Sequence, residues 1–252
     1  MDFQLLLKQA VSLHQIGRLA DAERLYEQVL ASDPRDFPAQ YQLALLLFQS
    51  GRVPAAVQAA EAALALNPES REALVLHSVV ALETKRFDEA FASISRVNDR
   101  YPGDPDAWHS CGVILSQLGR HGEAVAAFEK AISIEASPKM LIARGAALLA
   151  LSRPEEALQS FDHALVLEPA NAAAQLYRGN ALIALKRDGE AVELFDGVLA
   201  RHPGAFDAWS NRGLALYKLK RFADALESYD KALGIRADYA PAWTNRGDVL
   251  VA

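Results

Sequence analysis

Ala22, Ala56, Ala90, Ala124, Ala157, Ala191 and Ala225 follow one another at steps of 34, 34, 34, 33, 34 and 34 residues. A period of that length, kept over seven units, rules out a packing of unrelated elements and requires a stack of similar ones. Three further columns keep the register. Four residues after each alanine stands Tyr26, Ala60, Ile94, Phe128, Phe161, Phe195 or Tyr229. A small residue recurs at Ala10, Ala44, Ser78, Gly112, Gly145, Gly179, Gly213 and Gly247. Proline ends five units at Pro34, Pro68, Pro102, Pro169 and Pro203, and Ala136 and Ala237 take its place in the other two.

Each unit reads as two helices. In LYEQVL and FDHALVL the apolar residues recur at steps of three and four, the spacing that lines one helix face. The small column lets one helix backbone approach another closely. Breaks between the two helices fall at Gly17-Arg18, Gly51-Arg52, Gly119-Arg120 and Lys220-Arg221, where glycine suits the left-handed residue that ends a helix. The second break follows the proline column, because proline cannot continue a helix. Asp104 before Pro105, and Ser137 before Pro138, read as an N-cap with proline in the first turn. The single 33-residue step is a one-residue deletion placed in the loop before Ser137. The fold class expected is all-α, built of antiparallel helix pairs.

Composition narrows the function. The net charge of −6 disfavours a phosphate backbone as partner, so no nucleic acid is expected. The single cysteine, Cys111, excludes an intrachain disulfide, and its place just before the small residue reads as a packing thiol. The N-terminus, with Asp2 and Lys8, reads as an amphipathic helix and not as a leader. No run is long and apolar enough for a membrane span. A soluble cytoplasmic protein is expected. The histidines His14, His77, His109, His121, His163 and His202 are scattered, and neither a phosphate-binding glycine loop nor a zinc-like spacing is present. Catalysis, cofactor and metal are therefore not expected within these 252 residues.

The columns resemble the tetratricopeptide repeat family. Its signature is carried by Trp108, Gly112, Ala124, Phe128 and Ala131, and again by Trp209, Gly213, Ala225, Tyr229 and Ala232. Leu6, Gln40 and Leu74 stand where the first three units would carry Trp. The resemblance implies a right-handed superhelical solenoid of about 15 helices running over 1–252. Its seven repeats would span about 3–36, 37–70, 71–104, 105–137, 138–171, 172–205 and 206–239, with a half repeat at 240–252. The half repeat leaves Trp243 and Leu250 without the second helix they would pack on, which is expected of a chain cut from a longer protein or, failing that, of a last helix 240–252 acting as a makeshift cap.

The resemblance further implies a concave groove built from the first helix of each repeat, holding a peptide or helix. The groove slots fall on Tyr41, Leu45 and Phe48, then Val75, Val79 and Leu82, then His109, Val113 and Ser116. They continue at Ile142, Ala146 and Leu149, at Leu176, Asn180 and Ile183, and at Ser210, Leu214 and Tyr217. A carboxylate clamp for chaperone tails is disfavoured, since Leu176 stands in its lysine slot. Asn211 and Asn245 occupy the slot of the asparagine ladder of protein O-linked N-acetylglucosamine transferases. That likeness gives a second expectation, the recognition arm of a glycosyltransferase. A third is self-association through the uncovered C-terminal helix.

Two columns carry opposite charge. Arg144, Arg178, Arg212 and Arg246 each precede the small glycine, and Asp162, Asp196 and Asp230 each follow the aromatic residue. Every aspartate lies 18 residues after an arginine. The matched columns predict a structural ion-pair ladder, either between the two helices of a repeat or between adjacent repeats, since guanidinium and carboxylate make paired hydrogen bonds.

Overall fold

The computed structural model describes residues 3–251, so Met1, Asp2 and Ala252 of the expected solenoid lie outside the described residues. The described residues form fifteen helices and no strand, in two compact units, 1–119 and 120–252. Unit 1 contains α1 (Phe3–Gln15), α2 (Leu19–Ser32), α3 (Phe37–Gln49), α4 (Val53–Leu66), α5 (Arg71–Glu83), α6 (Phe87–Arg100) and α7 (Pro105–Gln117). Unit 2 contains α8 (His121–Ile134), α9 (Pro138–Ala150), α10 (Pro154–Leu167), α11 (Ala172–Ala184), α12 (Asp188–Arg201), α13 (Phe206–Lys218), α14 (Phe222–Ile235) and α15 (Ala240–Leu250). Each unit is a stretch of all-α solenoid built from antiparallel pairs.

Local chemistry sets the helix ends. The first helix of a pair opens on a side-chain cap: Asp36 accepts from the Ala39 amide at 2.8 Å, Ser70 from Ala73 at 3.2 Å, and Asp104 from Ala107 at 3.1 Å. Ser137 and Asn171 do the same for Met140 and Ala174. These oxygens satisfy an amide with no partner inside the helix. The second helix opens instead on an arginine column, Arg18, Arg52, Arg86, Arg120, Arg153, Arg187 and Arg221, without a side-chain cap. Six of these helices have an acid three residues on that pairs with their arginine, as Arg153 does with Glu156 at 2.6 Å. The left-handed residue between the two helices is Gly17, Gly51 and Gly119 in three pairs, and Lys85, Ser152, Lys186 and Lys220 in four.

The core is columnar. In unit 1, Ala10, Ala22, Tyr26 and Leu46 form one buried cluster, and Ala44, Leu47, Ala56, Ala60, Leu76 and Val80 belong to another. In unit 2 the rings of Phe161, Phe195 and Tyr229 are fully buried. A methyl group placed on Gly145, Gly179 or Gly213 would come within 3.0 Å of those rings in turn, so the small column is required by ring packing. Cys111 is buried in α7. Among the described residues no helix is long and apolar enough to cross a membrane.

The ion-pair ladder forms between repeats. Arg178 Nε donates to Asp162 Oδ1 at 2.6 Å, Arg212 to Asp196 at 2.6 Å, and Arg246 to Asp230 at 2.7 Å. Each arginine thus reaches back 16 residues, to the second helix of the preceding pair, and not forward 18 to the aspartate of its own pair. Arg144 follows the same rule with Glu129 at 2.8 Å, a rung hidden by the change from Asp to Glu. Arg144 and Arg212 also donate to Ser160 and Ser228, both at 2.7 Å, so each joins three helices. The carboxylates are half-exposed, and each pair contributes at most about 1 kcal/mol. The ladder therefore fixes register more than it adds stability.

Candidate functional site

The groove slots of unit 1 converge. Tyr41, Leu45 and Phe48 stand on one face of α3 at steps of four and three, and Val75 and Val79 stand on the facing side of α5. Together with Arg71, Glu72 and Leu76 they line an open cleft of about 250 Å³. The Tyr41 ring stacks on Phe37 with centroids 6.2 Å apart. Burial raises its phenol above the ordinary value, and the negative charge of Glu72 adds to the rise. Leu82, His109, Val113 and Ser116 are half-buried and lie outside this cleft. Ser116 spends its hydroxyl on the Gly112 carbonyl at 2.9 Å.

Unit 2 holds a separate pocket of about 240 Å³. Ala172, Ala173 and Leu176 of α11 form one wall, Phe195 and Val198 of α12 with His202 another, and Ala205, Asp207 and Ala208 the third. Of the slots expected from sequence, only Leu176 is in it. Asn180, Asn211, Leu214, Tyr217, Asn245, Ile142, Ala146 and Leu149 are half-buried beyond it. Ile142 packs on the cluster of Leu141, Ala164 and Ala174. Two slots fail as surface. Ser210 is 2% exposed and Ile183 is 7% exposed, so both face the core and neither can touch a ligand.

Arg71, Glu72 and Leu76 were not among the slots read from sequence. Arg71 stands four residues before Val75 and eight before Val79, so helical spacing alone could have found it. The walls from Phe195, Val198 and His202 carried no such signal, because they come from a second helix.

One group offers metal-ligand types. A nitrogen of His77 and a carboxylate oxygen from each of Glu61 and Glu89 lie within 4.8 Å of one another. Arg86 already pairs with both carboxylates, with Glu61 at 2.8 Å, and so offsets one of their two charges from within. Burial holds the His77 imidazole below the usual histidine range, and Nδ1 lies 2.8 Å from Ser93 Oγ.

Signatures described as tetratricopeptide repeat match residues 7–65, 41–105, 142–205 and 190–241, and a related one matches 105–138. The general transcriptional corepressor ssn6 of Schizosaccharomyces pombe is 25% identical over 130 residues, 48% of this chain and 12% of its own length. The peroxisomal targeting signal receptor of Kluyveromyces lactis is 23% identical over 196 residues, 63% of this chain and 35% of its own length. The matched segments are thus a minor part of both relatives. Among solved structures, a tetratricopeptide repeat protein from Parabacteroides merdae superimposes with a TM-score of 0.76 at 13% identity, covering 98% of each chain. YrrB, described as having an unusual peptide-binding site, gives 0.59 at 23% identity over 75% of this chain and 97% of its own. The signatures and both structures are of tetratricopeptide repeats, and none of the matches establishes a link to a glycosyltransferase domain.

Proposed function

The chain belongs to the tetratricopeptide repeat family, and from that premise we propose that it is an interaction scaffold holding a peptide or helix on the faces of its first helices. The observation that carries this reading is the unit 1 cleft, where Tyr41, Leu45, Phe48, Val75 and Val79 leave an apolar concave surface open to solvent. Parallel apolar rows on two neighbouring helices suit an amphipathic helix or an extended apolar segment. Peptide binding by YrrB and signal reception by the peroxisomal relative are roles of the same kind. On this reading the chain positions partners and performs no chemistry of its own. In unit 2 the half-buried amides of Asn180, Asn211 and Asn245 would add hydrogen bonds to a bound backbone.

The test uses short peptides selected by display on the full chain. Tyr41→Ala with Phe48→Ala removes two rings, each worth about 1.5–3 kcal/mol when buried by a ligand, so binding weakens by at least about 100-fold. Circular dichroism is expected to show unchanged helix content. Affinity retained in the folded double variant overturns the assignment.

A further inference from the structure

We propose that the cleft between α3 and α5 selects an apolar segment that also carries a cation, a lysine or arginine seated on Glu72. The inference rests on the reading that this cleft holds a peptide, and it names the chemistry of that peptide. The floor contributed by α3, FPAQYQLALLLFQ, contains no charged residue. Charge enters the lining only through Arg71 and Glu72 at the start of α5.

The two charges are not equivalent. Arg71 is committed elsewhere: its Nε donates to Asp104 Oδ2 at 3.0 Å, and its Nη2 contacts the same oxygen. Asp104 in turn caps α7 through the Ala107 amide at 3.1 Å. The guanidinium is therefore neutralised by a carboxylate outside the cleft. Glu72 accepts a hydrogen bond from Ser70 Oγ at 2.9 Å, and no described cation forms an ion pair with it. Its own backbone amide, that hydroxyl and, more weakly, the neighbouring Arg71 charge hold the Glu72 carboxyl below the usual carboxylate range. Glu72 is exposed. The cleft thus presents one exposed carboxylate without an ion-pair partner beside an apolar floor.

A bound segment displaces water from that carboxylate. A neutral apolar segment leaves it desolvated without a partner, an anionic one is repelled, and a cationic one restores its pairing. Charge complementarity therefore fixes the occupant's character where apolar contact alone would accept any greasy sequence.

Random short peptides displayed on phage and selected on the full chain supply the probe. The selected peptides are then synthesised with Lys, Gln or Glu at the consensus basic position, and affinities are read by fluorescence anisotropy. Wild type is expected to prefer Lys over Gln by about fivefold, the upper range for an exposed pair. Glu72→Gln keeps the acceptor for Ser70 and is expected to abolish the preference while keeping apolar binding. Glu72→Lys is expected to turn the preference towards Glu, and if that variant does not fold, Glu72→Gln alone decides. Selected peptides that require Tyr41 and Phe48 but are indifferent to the basic position, or a preference that survives Glu72→Gln, overturn the inference and leave the scaffold reading standing. Selected peptides that bind without Tyr41 and Phe48 overturn both.

Discussion

At the scale of single residues, the ring and glycine columns decide how closely helices approach. Phe195 is fully buried and cannot move aside, so a methyl group on Gly179 meets it well inside van der Waals contact. Overpacking of this kind costs about 1–3 kcal/mol, while glycine to alanine in a helix returns about 1 kcal/mol. Gly179→Ala is therefore expected to lower the urea midpoint, by a net loss of about 1 kcal/mol. Gly247 occupies the same column on α15 and has nothing within 4 Å of an added Cβ. Gly247→Ala is expected to raise stability by up to about 1 kcal/mol. An equal gain at both positions would show that the ring has room to shift. Gln175 illustrates a different substitution. Its Nε2 donates to the Pro169 carbonyl at 2.8 Å, as Trp108 Nε1 does to Pro102 and Trp209 Nε1 to Pro203, both at 2.9 Å. The donor at the end of the side chain is kept while the indole is lost.

At the scale of elements, helix ends were the most legible feature of the sequence, because caps and breaks act over a few residues. Asp104 and Ser137 both cap as their neighbouring prolines indicated. The caps fail at the last two first helices: α13 opens on Ala205 and α15 on Tyr239, with no side-chain bond at either. In α13 the Ala208 amide already donates to Asp207 Oδ1 at 2.8 Å, so Ala205→Asp competes for the same donor and is expected to stabilise unit 2 by less than the about 1 kcal/mol of a full cap. An unchanged midpoint would mean that Asp207 already satisfies this turn in full, and a gain of about 1 kcal/mol that its bond to Ala208 contributes little. Lys220 holds φ at 60° in a position that glycine fills elsewhere. Lys220→Gly removes a left-handed side chain that costs about 1 kcal/mol, and a higher melting temperature is the expected outcome. The arginine column opening the second helices escaped the sequence reading, since arginine is not a capping residue by type and only its acid three residues on reveals the role.

At the scale of the whole molecule, the described chain divides into two compact units, and each carries its own cavity. Unit 2 loses packing towards α15. Trp243 is 54% exposed and Leu250 60%, and only Ala242 and Val249 of that helix are buried. In a stack whose stability is a sum of neighbour terms, a helix with one neighbour opens before a helix with two. Hydrogen exchange is expected to release α15 amides well before those of α13, and uniform protection across both would show that α15 is held by something other than its contacts with α13 and α14.

The 34-residue period and its four columns determined, without any coordinates, that the chain forms paired helices, where those helices end and which residues are equivalent. These are local or periodic properties, and both are written along the chain. Tertiary structure decided which equivalent residues meet. Arg178 stands 16 residues after one aspartate and 18 before another, and the offset between stacked helices places only the first within reach. The same offset turns Ser210 and Ile183 inward while Tyr41, Leu45 and Phe48 remain open. It also commits Arg71 to Asp104 and leaves Glu72 on the cleft without an ion-pair partner, a difference between two adjacent charges that no pattern in the chain encodes.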